Sequence, residues 1–331
     1  MNLDNSYLLK RLAYWERIIK AYLLPTTSQL SFWHGTPEIN EIPDLDNPKP
    51  YYMKFHYKAY YDGPFDEQGI PMLDYHGNIG LQYNPIAIAQ YGLGNYNLFL
   101  TSDSTTRLNK FYAVADWLIE SLEPNQKNIF VWHHNFDFEY RDTLESPWFS
   151  GLAQGLGLSV LSRAYLESKN DKYLEGHQKA WVSMTKTIKD GGVIDIDNEG
   201  NYWIEEYIVN PPTHIINGFI WAIWGVYDTW KFLDNMQAKN LFKKCCRTLE
   251  VNIDKYDQGY WSLYDQAGLP LDNMASFFYH QLHIVQLEIL SNLSDNRIFQ
   301  KYANRWQSYN TSKFNKNRAL IKKILFKMYY Y

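Results

Sequence analysis

The chain has 331 residues, enough for one large domain or two smaller ones with a sizeable buried core. Its net charge of -4 argues against general nucleic-acid binding, which usually accompanies a basic excess. Aromatic residues are abundant at 17%, and flat side chains with polar tips suit the stacking of sugar rings. A Tyr-rich core that binds no ligand would give the same composition.

The first part of the chain divides into two segments. Residues 6–23 place apolar side chains at helical spacing, and Pro25 ends the pattern. The Pro-rich stretch 26–50 is typical of an irregular arm, so residues 1–50 form an N-terminal helix and arm. Residues 51–83 are rich in Tyr, Gly and Asp with turn signals, and this pattern predicts a β-hairpin segment.

Residues 84–310 contain a repeat of helical pairs. The first helix of each pair begins near residue 84, 149, 213 or 276, and the second near residue 105, 171, 236 or 296. An amide recurs in each first helix at intervals of 64, 63 and 64 residues, as Gln90, Gln154, Asn217 and Gln281. Small residues beside these amides would let neighbouring helices approach closely. Because one helical hairpin cannot bury its apolar face alone, four of them predict a mainly α fold, an incomplete (α/α) toroid that forms the catalytic domain.

The repeat also predicts where a binding site lies. If the first helices form the inner ring, the segments that lead into them meet at one end of the toroid. These segments are rich in Tyr, Glu, Asp, His and Trp, as a concave sugar site requires, and they are residues 75–83, 141–148, 203–212 and 260–279.

The last segment, residues 311–331, is basic. Its Lys and Arg residues are accompanied by no acid, and Leu320, Ile321, Ile324 and Leu325 fall on one helical face. A basic amphipathic helix of this kind can lie on an anionic membrane surface. Packing against the N-terminal helix and a frayed tail are the alternatives.

No targeting, metal or cofactor motif is recognisable. The N-terminus lacks the apolar core of a signal peptide, and no run approaches the roughly 18 apolar residues of a membrane span. Adjacent Cys245 and Cys246, like His133 and His134, lack the spacing of metal ligands, and no phosphate-binding glycine loop is present. We therefore expect a cytoplasmic protein, with the inner membrane surface as a site of peripheral contact, and no cofactor or metal.

Several motifs occur in an order that is specific to one family. They are GPFDEQGIPMLDYHGNIGLQYNPIAIAQYGLGNYN at 63–97, WFSGLAQGLGLSVLSRAYL at 148–166, WIEEYIVNPPTHIINGFIWAIWGVYD at 203–228, SLYD at 262–265 and YHQLHIVQL at 279–287. Over roughly residues 50–310 the chain resembles the D-glucuronyl C5-epimerase family, and its shorter bacterial members in particular, because the large β-domain of the animal enzymes is missing.

The resemblance implies an activity and its partners. A family member would convert D-glucuronic acid to L-iduronic acid units within a heparosan-like polymer, without a redox cofactor, and would form a homodimer. Inverting C5 requires a base and an acid on opposite faces of the sugar ring, each within hydrogen-bond reach. It also requires a group that neutralises the substrate carboxylate as negative charge develops.

The resemblance also implies site residues. It assigns proton transfer at C5 to Glu206, assigns Tyr279 to the opposite face, and adds Tyr264 to the catalytic set. Without it, Glu205-Glu206 would be interpreted as a solvated turn, and Tyr279 as a packing residue. The predicted substrate-binding residues are Tyr83, Tyr207, Gln82, Asn217, Arg141 and His283. For at least one of His280 and His283, a place in the core is the alternative.

One position departs from the family pattern. In the animal enzymes an arginine follows the SLYD tyrosine by three residues and holds the uronate carboxylate, whereas this chain has Ala267. Recognition of the carboxylate then falls to Arg141, Lys58, Arg163 or a histidine. Two other functions remain open: a uronate polysaccharide lyase on the same fold, and a noncatalytic glycan-binding protein.

Overall fold

The computed structural model describes residues 32–33, 35–40, 49–140 and 143–330. The helix predicted at 6–23 lies outside these residues. The segment predicted as β-hairpins begins instead with a short helix, α1 (His56–Ala59), and only then forms the antiparallel hairpin of β1 (Leu73–Asp74) and β2 (Leu81–Gln82). The helical turn forms because it packs closely on the next helix, where Gly94 leaves room for the Phe55 backbone and Ala59.

Four helical hairpins follow, at the positions that the repeat predicts. They are α2 (Pro85–Ser102) with α3 (Thr105–Glu120), α4 (Gly151–Ser168) with α5 (Asp171–Trp181), α6 (Ile216–Leu233) with α7 (Met236–Asn252), and α8 (Phe277–Ser294) with α9 (Arg297–Tyr309).

The turns inside the hairpins share one construction. Each first helix has 18 residues and ends at a residue in the left-handed conformation, and the next residue precedes the second helix. In three of the four turns that next residue is an Asn whose side chain accepts a hydrogen bond from the new helix. The left-handed residues are Asp103, Lys169, Asp234 and Asp295, with φ of 49° to 56°. These local signals explain why helix boundaries follow from the sequence.

The first helices form an inner layer and the second helices an outer one. The inner helices are buried on nearly all sides and pack in chain order, α2 on α4, α4 on α6 and α6 on α8. Small residues allow the closest approach: a side chain at Gly155 would lie 2.5 Å from Ala222 Cα. The outer helices are amphipathic and keep one face in solvent. The fold is therefore mainly α, an incomplete (α/α) toroid.

Short strands occupy the connections between hairpins. After α3, a sheet in the order β3-β4-β7 contains β3 (Leu122–Pro124), β4 (Phe130–His134) and β7 (Trp148–Phe149), with the hairpin β5 (Phe138–Glu139) and β6 (Thr143–Leu144) between the last two. After α5, β8 (Ile194–Ile196) pairs antiparallel with β9 (Tyr202–Ile204). Strand β7 leads into α4 and strand β9 into the loop before α6.

A final helix, α10 (Lys313–Tyr330), follows the last hairpin. Ala319 and Phe326 are buried against the domain, whereas the opposite face exposes large apolar side chains. In the part of the chain described above, no helix combines the length and the apolar character that crossing a membrane requires.

A buried ion pair connects two inner helices with the segment before α1 that contains Lys49 and Tyr52. Arg163 of α4 donates to Asp228 of α6 at 2.6 Å, and both side chains are fully buried. Tyr52 also donates to Asp228, at 2.5 Å, and Arg163 donates to the Lys49 carbonyl at 2.8 Å. The interpretation of Arg163 as a binder of the substrate carboxylate is therefore wrong, because its guanidinium is inside the core and already paired.

Candidate active site

A cavity of about 280 Å³ lies at one end of the toroid, close to the lower end of the roughly 300–1,000 Å³ range of ligand pockets. Each of the four segments that lead into an inner helix contributes to its wall. Tyr75 comes from the first segment, Trp148 from the second, Tyr207 from the third and Tyr264 from the fourth. Residues that are far apart in sequence therefore meet in one concave surface.

Glu206 is a buried carboxyl group in the wall of this cavity. Its Oε2 atom accepts a hydrogen bond from Asn217 Nδ2 at 3.4 Å. Burial raises the pKa of Glu206 to about 8, the charges of Glu205 and Asp265 add to this effect, and a hydrogen bond from Tyr207 opposes it. A carboxyl group with a pKa near neutrality can both take up and release a proton at physiological pH.

The local backbone positions Glu206. The adjacent Glu205 directly follows strand β9. Its carbonyl accepts a hydrogen bond at 2.9 Å from the amide of Gly151, the first residue of α4. The Glu205 carboxylate bonds to the His214 backbone amide and ring, so it closes the loop that leads into α6. On α6 itself, a methyl group at Gly218 would lie 2.7 Å from Glu206 Cβ and closer still to its carboxylate. The glycine provides the space that Glu206 occupies.

Two predicted catalytic tyrosines also line the cavity and contact each other. The rings of Tyr264 and Tyr279 pack edge to face with centroids 4.8 Å apart. Tyr264 is fixed by backbone hydrogen bonds to Asn273 and Ile216, and Tyr279 lies in the first turn of α8, which Ser276 caps. Burial, together with the charge of Glu206, raises the pKa of Tyr264 well above its usual value. Tyr264 thus holds its proton more tightly than a free tyrosine and can donate a hydrogen bond.

An aromatic wall surrounds Tyr207. Tyr140 lies 4.6 Å from its ring centroid, Phe138 5.7 Å and Trp148 5.8 Å, and all four residues line the cavity. Burial, followed by the charge of Glu206, raises the pKa of Tyr207 well above its usual value. The wall offers flat apolar faces for a sugar ring beside a carboxyl group that can exchange a proton.

Of the predicted site residues, the structure brings Glu206, Tyr207, Asn217, Tyr264 and Tyr279 together in the cavity. Arg141 lies outside the described residues. The remaining three predicted residues do not line the cavity, and the contacts of each explain why.

Tyr83 and Gln82 belong to the surface around β2. The Tyr83 hydroxyl donates to Asp66 at 2.7 Å and its ring packs on Trp117, while the Gln82 amide donates to the Ile79 carbonyl at 2.6 Å. His283 is fully buried and its Nδ1 atom is 3.0 Å from Ser262 Oγ. His280 bonds to the same hydroxyl and stacks on Trp261. Both histidines thus belong to the core.

Sequence reasoning predicted one polar side chain of the cavity wall, Asn217, and missed two others, Gln90 and Trp221. Both amide atoms of Gln90 and the indole nitrogen of Trp221 are buried without a hydrogen-bond partner among the described residues, as is Asn217 Oδ1. Such groups are rare in folded proteins unless a ligand or water satisfies them. The recurring amides were a signal for Gln90. The two members of that series outside the cavity wall accept hydrogen bonds, Gln154 from Ser183 and Gln281 from Asn310, although Gln154 Nε2 is also buried without a partner among the described residues.

Cationic side chains reach the cavity from both ends of the chain. Lys58 of α1 donates to the Phe32 carbonyl at 2.5 Å and lies over the Phe32 ring, and burial lowers its pKa to about 7. Lys323 and Lys327 come from α10, in the segment predicted as a tail. The Ala267 amide, at the position of the family arginine, donates to Asp265 at 3.3 Å.

Among the residues that the structure describes, Asp195, Glu205 and His214 could offer ligand atoms to a cation, since these atoms lie within 4.8 Å of one another. The hydrogen bonds from His214 to Glu205 bring two of the three groups together without an ion. We assign this group a structural part in closing the loop between β9 and α6.

Comparisons with known proteins identify the relatives of the chain. Residues 126–308 match the family described as D-glucuronyl C5-epimerase C-terminus. A Caenorhabditis elegans protein named D-glucuronyl C5-epimerase is 31% identical over 217 residues, which cover 60% of this chain and 34% of the worm protein. The chain thus spans about a third of that relative. An uncharacterized protein of Methanocaldococcus jannaschii is 27% identical over 266 residues, which cover 74% of this chain and 85% of that protein.

Two solved structures show more distant similarity. An unsaturated glucuronyl hydrolase from Bacillus sp. GL1 matches with a TM-score of 0.47 at 14% identity, covering 68% of this chain and 60% of its own. A family 76 glycoside hydrolase, a mannosidase from Bacteroides thetaiotaomicron, matches with a TM-score of 0.46 at 11% identity, covering 70% and 60%. Both similarities are too low to bear on function. The family match, by contrast, covers more than half of the chain and contains Glu206, Tyr264 and Tyr279. The chain therefore belongs to the D-glucuronyl C5-epimerase family and matches the C-terminal region of its members.

Proposed function

We propose that this chain is an isomerase that inverts C5 of D-glucuronic acid units in an acidic, heparosan-like polysaccharide and so produces L-iduronic acid units. Membership of the family and the name of the worm relative support this proposal. The observation that carries it is the buried Glu206, whose raised pKa suits proton exchange, beside two tyrosines in an aromatic cavity.

The reaction needs no change of oxidation state. In its ionised form, Glu206 removes the C5 proton, and the electron pair of the C–H bond moves toward the neighbouring carboxylate. Tyr279, paired with Tyr264, returns a proton to C5 from the other face of the ring, and the configuration is inverted. The neutral phenol of Tyr264 donates a hydrogen bond to the charge that develops meanwhile.

The cavity wall supports the binding of a sugar. The aromatic wall around Tyr207 stacks on the ring faces, and the unpartnered side-chain amide of Gln90 and the Oδ1 atom of Asn217 can bond to hydroxyl groups. Recognition of hydroxyl groups by buried amides gives specificity, because a substrate that lacks the hydroxyl leaves the amide unpaired.

The test is proton NMR of an unsulfated glucuronic-acid polymer of the heparosan type in D2O with the purified protein. We expect loss of the C5 proton signal and growth of iduronate signals, and loss of both changes in Glu206→Gln and Tyr279→Phe. Arg247→Gln, on an exposed face of α7, serves as the control. An unsaturated product would indicate a lyase, and binding without any exchange would indicate a glycan-binding protein; either result contradicts the proposal.

A further inference from the structure

The final helix forms part of the cavity wall. Lys323, Phe326 and Lys327 of α10 all line the cavity, and Phe326 is buried. This segment lies beyond the residues 126–308 that match the family.

The ammonium group of Lys323 lies next to the predicted catalytic tyrosines. Its Nζ atom is 5.4 Å from the centroid of the Tyr264 ring, and that ring packs on Tyr279. It donates to Asn273 Oδ1 at 2.6 Å, and Asn273 in turn donates to Asp265 Oδ2 at 2.6 Å. Asn273 therefore orients the ammonium group without neutralising it.

No carboxylate of the described residues lies within ion-pair distance of Lys323 Nζ. Its chain neighbour Lys322 differs, since its Nζ atom is 3.9 Å from Asp272. Burial, and secondarily the charge of Lys327, lowers the pKa of Lys323 to about 7, while the charge of Asp265 acts in the opposite direction. A partly buried cation with no carboxylate in direct contact is stabilised when an anion binds beside it.

Building on the proposed function, we propose that Lys323 binds the carboxylate of the uronic acid unit whose C5 is inverted. C5 is bonded to the carboxyl carbon, so a carboxylate at Lys323 places C5 beside Tyr264 and Tyr279. When the C–H bond breaks, its electron pair spreads onto the carboxylate oxygens, where the ammonium stabilises it. The pair returns to C5 when the new C–H bond forms. Lys58 is less suited to this role because its ammonium group lies over the Phe32 and Trp33 rings, whereas that of Lys323 lies over the Tyr264 ring.

The test measures binding of two polymers by calorimetry: the unsulfated glucuronate polymer and the same polymer with its carboxyl groups reduced to hydroxymethyl groups. We expect Lys323→Met to weaken binding of the charged polymer about 10- to 100-fold, the loss expected for one charge-assisted hydrogen bond. Binding of the reduced polymer stays unchanged. Lys322→Met, the matched control on the same helix, behaves like the unaltered protein. Lys323→Arg retains most of the affinity and shows that the charge is what matters.

The outcomes separate this inference from the proposed function. Equal affinity of Lys323→Met and Lys322→Met for the charged polymer overturns the inference, even if the unaltered protein exchanges the C5 proton. Selective loss of charged-polymer binding in Lys323→Met, without C5 exchange in the unaltered protein, overturns the epimerase and supports the carboxylate site. If the unaltered protein binds neither polymer, the inference is also overturned. Thermal unfolding of each variant shows that it is folded.

Discussion

At the scale of single residues, the environment of Glu206 determines its chemistry. Next to Glu205 in the sequence it resembles one of two solvated acids, but the two side chains have different surroundings. Glu205 bonds to His214, whereas Glu206 faces the cavity with Asn217 and Tyr207 as its polar neighbours. Burial of a carboxyl group disfavours its charged form, so its pKa rises.

The raised pKa of Glu206 predicts how activity depends on pH. As the base, Glu206 must be ionised, and a bound carboxylate keeps Lys323 protonated, so we expect kcat for C5 exchange at saturating polymer to rise with pH and to level off above about pH 8. Deuterium incorporation measured from pH 6 to pH 9.5 tests this. A profile that falls over this range would contradict the assignment of Glu206 as the base.

The same shift affects stability. The folded protein retains a proton on Glu206 between the ordinary pKa of 4.5 and the folded value of about 8, so this group lowers stability as pH rises through that window. Glu206→Gln removes the effect. We therefore expect its free energy of unfolding, relative to the unaltered protein, to be higher at pH 9 than at pH 5, as measured by urea unfolding. If the difference in free energy of unfolding between Glu206→Gln and the unaltered protein is the same at pH 5 and pH 9, Glu206 is already ionised at pH 5.

Gly218 is predicted to be essential for activity, because any side chain there meets Glu206. In Gly218→Ala the methyl group displaces the carboxyl group, and a shift of about 1 Å in a reacting group can cost about 100-fold in rate. We expect a loss of C5 exchange of that order, with destabilisation of about 1–3 kcal/mol from overpacking. Lys231→Ala, at the exposed end of the same helix, should keep full activity. Full activity of Gly218→Ala would contradict the geometry.

At the scale of elements, the packing of α4 on α6 supports both the core and the site. Gly155 allows close approach of the two helices. The Arg163–Asp228 pair joins them to the segment before α1, because Tyr52 of that segment donates to Asp228. Loop residues before both helices carry the cavity wall, so a change in this interface would alter the site.

We expect Asp228→Ala to destabilise the protein by about 3–5 kcal/mol, because it leaves the Arg163 charge buried and unpaired. The exposed pair of Lys172 and Asp116, at 2.7 Å, is the control. Lys172→Ala should change the free energy of unfolding by no more than about 1 kcal/mol, since water screens exposed pairs. Urea unfolding of both variants measures the difference, and similar values for the two would contradict the argument.

At the scale of the whole molecule, α10 has two different faces. One face contributes Lys323 and Phe326 to the cavity, and the other exposes Phe314, Ile321 and Leu325, of which Phe314 is 74% exposed. The sequence pattern predicted membrane contact through this segment, and the family resemblance predicted a homodimer. An exposed apolar face of this kind suits either partner.

We propose that the exposed apolar face of α10 forms the interface of a homodimer. Light scattering should report two copies for the unaltered protein and one for Ile321→Glu combined with Leu325→Glu, because buried acids would disrupt an apolar interface. Lys301→Glu, which places an acid on the exposed side of α9, should leave the dimer intact. A monomeric unaltered protein would contradict the dimer, and its cosedimentation with anionic vesicles would assign the face to membrane contact.

The sequence by itself determined the helical hairpins, because amphipathic periodicity, left-handed end residues and Asn caps act within a few neighbouring positions. It also indicated Glu206, Tyr264 and Tyr279, because they belong to contiguous motifs. Only the tertiary structure decided which side chains enter the cavity. It placed Tyr83 on the surface beside Asp66 and brought Lys323 beside Tyr264. Proximity and burial depend on how distant segments pack, and so do the shifted pKa values that make Glu206 a candidate base.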